Sequence, residues 1–455
     1  FKNKLYIEKI FQLLYNESMY RFLKVSFFII IFFIICNILS FFLRNDRNKY
    51  ARLVMQDFYD QENIDFLLCG ASHVAHGINP QLAKEYFSGN VFCSGTSAQK
   101  MPATYAVLKE AINKYKLKKV FVDLDFGMAI GQQIKFFDKK PSVDIYLLST
   151  YLKNKLIKYE YLLKATSPKY YLNSILPIGV DKQIELNPIT IVKNLKSKTT
   201  GEYYDYNYEA INASYVRGGV IMETESIKDG SFYASSKNIT TITNNLNEDW
   251  KNAIKKIISI CEENNIPLIF YSTPISDFFL NASGNYDIYI SNVRQFLREY
   301  GYQFYDFSLC KEEYLTLSDY NFYDNNHLNK TGIEKFTPVF CKFFTGKIDQ
   351  KDLFYDSYSE KIQNQKSCVY GLVIDKENEN SIKIQPMVNS TNQEDICFDI
   401  FEINKKGENQ IYKKTNNTTI SYPKSTKKLK IISYYKTEKQ TECIIELGTI
   451  WKYLP

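Results

Sequence analysis

Histidine is scarce in this chain. Only His73, His76 and His327 occur in 455 residues, and no run of acidic residues accompanies them at metal-ligand spacing. A metal centre is therefore not expected, because such sites draw on several clustered ligands. The nine cysteines are odd in number and form no CxxC pair, which argues against zinc ribbons and a disulfide framework. Most lie in apolar runs, where a thiol behaves as a small hydrophobe. Compact Lys/Arg blocks are also missing, and the formal net charge is only +7, so nucleic acid is not an expected partner. No internal repeat of solenoid length is found.

Residues 25–43, "VSFFIIIFFIICNILSFFL", carry no charge. A helix rises ~1.5 Å per residue, so this run spans roughly the hydrocarbon of a bilayer. No small-residue cleavage site follows it, which predicts a retained signal anchor at 25–43 with residues 1–24 before it. Five Lys/Arg precede the run and four lie in residues 44–60, a slight bias towards a cytoplasmic N-terminal segment.

The remaining length predicts more than one domain. Apolar strand patterns at 64–69, 90–95, 118–125, 266–274 and 302–308 alternate with helical ones. Asn79-Pro80 and Asn247, followed by Glu248 and Asp249, carry helix N-terminal signals. This order predicts an α/β domain over 44–345, built on a flavodoxin-type parallel sheet with helices on both faces. Residues 128–245 interrupt it and read as a long insertion or lid, including the tyrosine-rich "GEYYDYNY". Its Tyr203, Tyr204, Tyr206 and Tyr208 either stack on sugars or serve ordinary packing. From 346 to 455, short strands separated by Asn, Lys, Gly and Ser predict a small β-sandwich.

Two motifs carry chemistry. "CGASH", residues 69–73, follows the first strand and places Ser72 in the turn before a helix. "YDNNHLN" places Asp324 three residues before His327, so the carboxylate can fold back onto Nδ1 and leave Nε2 outward as a general base. Both motifs fall beyond the carboxyl ends of strands, where active sites of parallel sheets lie. His73 either touches substrate or hydrogen-bonds locally. Asp123 and Asp125 either line the pocket or hold loop amides. His76 has no evident partner.

The order and placement of these motifs resemble the SGNH/GDSL hydrolase superfamily, over about residues 62–345 apart from the insertion. The resemblance implies Ser72 as nucleophile, His327 as base and Asp324 as the residue that orients it. It further implies an oxyanion hole from the amides of Ser72 and Gly95, the glycine of "CSGTSAQ". The chain departs from the superfamily at Ala71, where an aspartate is usual, and in "VDLDFGM", which lacks the third-block asparagine. Its membrane anchor resembles a bacterial subset that O-acetylates envelope polysaccharides or transfers D-alanine to teichoic acids. That likeness implies an extracytoplasmic serine acyltransferase or esterase without a dissociable cofactor. Its expected partners are an envelope polysaccharide or teichoic acid, the lipid bilayer and a membrane-bound O-acyltransferase. The rival reading is a catalytically degenerate SGNH-fold protein that binds glycan or scaffolds an assembly.

Overall fold

The computed structural model describes residues 2–46, 49–129, 143–175, 186–205, 213–222, 233–234, 245–282, 285–324, 326–365, 368–389 and 393–447. Tyr206 and Tyr208 lie outside them. One helix runs from Lys2 to Leu43, and its stretch Glu17–Leu43 is long and apolar enough to cross a membrane. Its described side chains are mostly exposed, including Phe27, Phe28 and Ile30.

The α/β part is built on strands β1 (Phe66–Cys69), β2 (Val91–Cys93), β3 (Lys119–Asp123), β7 (Leu268–Ser272) and β8 (Phe304–Asp306). Between β3 and β7 come β4 (Ala213–Val216), β5 (Gly219–Met222) and the two-residue β6 (Tyr233–Ala234). The five sheet strands are all parallel and ordered β2-β1-β3-β7-β8. Counted within the sheet alone this is the 2-1-3-4-5 doubly wound order, whose switch point lies between β1 and β3.

Side-chain alternation explains why both faces are covered. Leu67, Cys69, Val120 and Val122 point into one core, with the helices Met101–Lys114 and Glu248–Glu263. Phe66, Leu68, Phe121 and Tyr271 point into the other, against the helix Lys330–Phe344. Adjacent residues of one strand thus feed opposite cores, as a parallel sheet requires. The Asn79 and Asn247 side chains cap their helices by accepting amide hydrogens.

The segment 128–245 contributes to the same body. Ile145, Leu148, Ile157 and Tyr161, from its first helices, belong to the main core. The β4–β5 hairpin lies against the sheet edge, where the amide of Cys93 donates to the carbonyl of Arg217 at 3.2 Å. β6 pairs in parallel with β9 (Val369–Asn378) of the C-terminal region.

That region continues with β10 (Ser381–Val388), β11 (Ile396–Asn404), β12 (Gly407–Thr415), β13 (Thr419–Ser421), β14 (Lys428–Tyr435) and β15 (Glu438–Glu446). They form two sheets, β13-β10-β9-β6 and β12-β11-β14-β15. Inward residues of both, such as Leu372, Ile384, Ile400 and Ile431, share one apolar core. Two short helices, Gln350–Leu353 and Tyr358–Asn364, precede β9, with Leu353 and Tyr358 buried in the α/β cores.

Candidate active site

β1 ends at Cys69, and a single helical turn, Ser72–Ala75, begins three residues later. Gly70 must be glycine for a packing reason. A Cβ there would lie 2.9 Å from Cβ of Asp123 at the end of β3. Gly95, after β2, is pressed onto the turn itself, since a Cβ would meet the Ala71 carbonyl oxygen at 2.2 Å. The Gly95 loop therefore borders the turn that carries Ser72.

The loop after β8 is tied closed before it delivers its histidine. The amide of Tyr323 donates to the carbonyl of His327 at 2.7 Å, and Phe322 bridges Leu328. Buried Asn329 donates to the carbonyl of Tyr320 at 2.8 Å and caps the helix Lys330–Phe344 through the amide of Gly332. Asp324 Oδ1 accepts the amides of Asn326 (3.0 Å) and His327 (2.8 Å) in an Asx-type turn. The same carboxylate reaches His327 Nδ1 at 2.9 Å through Oδ2.

His327 Nε2 then lies 2.8 Å from Ser72 Oγ, across 255 residues of chain. An ionised carboxylate only accepts, so Nδ1 carries the proton and Nε2 is free to accept from the serine hydroxyl. Burial raises the Asp324 carboxyl, but the hydrogen bond and charge of His327 outweigh it and hold the group below its usual range. Ser72, His327 and Asp324 are thus brought together in a hydrogen-bonded series at the carboxyl edge of the sheet.

The other two histidines flank this series. His73 and His327 have ring centroids 4.9 Å apart, and His76 and His327 have them 5.1 Å apart. The partner of His76, unforeseen in the sequence, is the carbonyl of Val220 on β5, 2.8 Å from Nδ1. Burial drives the His76 ring down to about 4, so it is neutral at physiological pH.

His73 is the opposite case. Its Nδ1 lies 2.5 Å from Asp125 Oδ2 in a buried pair. Burial disfavours its charge, but the Asp125 charge and hydrogen bond prevail and raise the ring to about 9. Burial likewise opposes ionisation of Asp125, yet His73 and the amides of Gly127 and Met128 keep it below the usual value. Asp123 has no such partner. Burial and then, against the pull of His73, the like charge of Asp125 lift it to about 7. Its Oδ1 accepts the amide of Thr273 at 2.8 Å. Asp123 therefore holds a loop amide, and His73 bonds locally. All three are buried, with the His73 ring against that of His327.

His73, Asp123 and Asp125 nevertheless offer donor atoms within 4.8 Å of one another, a grouping in space that no acidic run in the sequence announces. The spacing hid it because the turn after β1 and the end of β3 are sequence-distant but adjacent in the sheet. With Nδ1 committed to Asp125, the set reads as an ion pair beside a second carboxylate rather than a metal cage.

The stacking alternative for Tyr203 is overturned. Tyr203 is buried, and its hydroxyl donates to Asp46 at 2.9 Å, so it is no sugar platform. Tyr204 is exposed. A cleft of about 370 Å³ opens elsewhere, between the helices Met101–Lys114, Lys155–Ala165 and Glu248–Glu263, and the Ser72 series does not line it.

A scan against protein-family models finds no matching family, and a search of the curated proteins finds no matching relative.

Proposed function

We propose that this chain is a membrane-anchored serine enzyme of SGNH type, which transfers or hydrolyses O-acyl groups on bacterial envelope glycopolymers. The observation that carries this reading is the 2.8 Å contact between Ser72 Oγ and His327 Nε2, with Asp324 behind the ring. Ser72 Oγ attacks the ester carbonyl as its proton passes to Nε2. Asp324 stabilises the resulting imidazolium. The amides of Ser72 and Gly95 are assigned to the oxyanion. The leaving alcohol takes the proton from Nε2, leaving an acyl-serine. A sugar hydroxyl or water then gives its proton to Nε2 and attacks that ester, which restores Ser72.

The buried pair has a place in this scheme. A bare His73 cation 4.9 Å from His327 would oppose protonation of the base. Asp125 neutralises that cation and at the same time fixes the turn that carries Ser72. The anchor is assigned a cytoplasmic N-terminal side, with residues 44–455 outside. Protease treatment of intact protoplasts tests this, since protection of the whole region contradicts it.

The rival scaffold reading draws on the third-block position, where Asp125, bound to His73, stands in place of a donor asparagine. A fluorophosphonate probe separates the two. Full-length protein labelled at Ser72, with labelling lost in Ser72→Ala, supports the enzyme. Absence of labelling in the unmodified chain supports the scaffold.

A further inference from the structure

The helix Pro188–Thr200 is inside out. Its buried residues are polar: Asn194, Ser197 and Lys198. Its exposed residues include an apolar stripe, with Ile189 69% exposed and Val192 65% exposed, beside Lys193 and Lys196. A helix facing water does the reverse, as Glu248–Glu263 does with Trp250, Ile254 and Ile257 buried. A second helix, Lys155–Ala165, sends Ile157, Tyr161 and Leu162 into the main core and buries Lys158, yet leaves Leu156 83% exposed and Leu163 44% exposed. Next to that, Tyr171 donates to the carbonyl of Leu163 at 3.2 Å, and Leu172 is 61% exposed.

What these elements share is the end of the apolar N-terminal helix. Lys198 Nζ donates to the carbonyls of Phe41 (2.5 Å) and Arg44 (2.6 Å), where that helix stops. The same ammonium lies 3.1 Å from buried Asp46. Asp46 also accepts from Tyr151 at 2.7 Å, just before the Lys155–Ala165 helix. The polar side of Pro188–Thr200 is therefore turned towards this junction, and Tyr151 ties the start of the second helix to it. Both helices carry exposed apolar side chains on elements fastened where the apolar N-terminal helix ends.

We infer that Pro188–Thr200 and Lys155–Ala165 form an interfacial membrane-docking surface, with Ile189, Val192 and Leu156 in the boundary between lipid headgroups and acyl chains. Exposed lysines at its edge, Lys155, Lys193 and Lys196, match anionic headgroups. The occupant is lipid, because Lys198 bonds Pro188–Thr200 to the end of a helix whose exposed side chains between 25 and 39 are largely apolar. The inference rests on reading Glu17–Leu43 as a span, but not on the chemistry of Ser72.

The test uses full-length protein in vesicles of phosphatidylcholine and phosphatidylglycerol, without other proteins. Single cysteines are introduced at Ile189, Val192, Leu156, Ile31 and Lys405 in a Cys397→Ser background and labelled with an environment-sensitive fluorophore. Nitroxide lipids with shallow or deep quenchers are then compared. Blue-shifted emission at 189, 192 and 156, quenched more by the shallow probe, is expected. Ile31 should be quenched more by the deep probe and Lys405 by neither. Quenching at Ile31 without quenching at 189, 192 and 156 overturns the docking surface and leaves a protein partner for this face. Equal quenching at Lys405 also overturns it, as non-specific adsorption. Loss of quenching at Ile31 instead removes the span on which the inference rests.

Discussion

Two clusters of buried charge organise this molecule, and they are built differently. At the anchor junction, the carboxylate of Asp46 is surrounded by the hydroxyls of Tyr151 and Tyr203 and by the cations of Lys198 and Arg44. Beneath Ser72, His73 Nε2 and Asp123 Oδ2 are buried without a hydrogen-bond partner among the described residues. The first cluster gathers two hydroxyls and Arg44 on Asp46 Oδ2 and leaves Oδ1 to the ion pair with Lys198, without a hydrogen bond, which suits a joint held by charge. The second places two carboxylates around one histidine and leaves a donor, His73 Nε2, and an acceptor, Asp123 Oδ2, unspent, an arrangement that is costly unless something beyond stability retains it.

The sharpest way to break the contrast is at the nucleophile. Ser72→Ala should lower turnover of a small acetyl ester by at least about 10⁴-fold while leaving thermal unfolding unchanged. Unaltered turnover would remove Ser72 from the chemistry. Asp324→Asn should cost about 10²–10⁴-fold in kcat, because it disturbs the tautomer of His327 without deleting the ring. A kcat within twofold of the parent, roughly 0.4 kcal/mol, would show that Asp324 does not orient the base.

The buried pair comes next. Removing the partner of His73 by Asp125→Ala should destabilise the fold by about 3–5 kcal/mol, read from urea unfolding. The pair also sets a pH signature. His73 is raised to about 9 from an ordinary 6.5, so its contribution is complete below pH 6.5 and is lost as pH rises through 9. Stability should decline across that window, and His73→Gln should flatten the decline. An identical slope in the variant would assign it to other groups.

At the joint, Asp46→Asn should expose the helix Pro188–Thr200 to faster amide exchange, with a loss of about 3 kcal/mol. Unchanged exchange would mean that the helix is held by other contacts. The smallest effect belongs to the sandwich. Lys430→Met, which removes partly exposed pairs to Glu408 and Glu442, should cost less than about 1 kcal/mol in thermal unfolding.

How far the sequence revealed these features follows from the range of the interactions. The five sheet strands and the Asp324–His327 turn are local patterns, and the structure has strands within each expected interval. The contact between Ser72 and His327 was reachable because both follow strands of one parallel sheet. The His73–Asp125 pair was not, since it depends on the turn after β1 lying beside the end of β3. The partner of Tyr203 was hidden for the same reason, Asp46 being 157 residues away. β12, whose residues are mostly outward and polar, lacks the alternation that marks a strand and was missed.

The hold of Lys198 on the last carbonyls of the N-terminal helix has a geometric consequence. A domain on a loose tether sweeps a volume and meets substrate at any height within its reach. One fastened at the root of its anchor keeps a set elevation and tilt above the lipid. Under the proposed function, the polymer must then do the travelling. The positions along an envelope glycan that acquire or lose an acyl group are selected by how close each can bend to a fixed point, much as a fixed print head marks whatever length of ribbon passes beneath it.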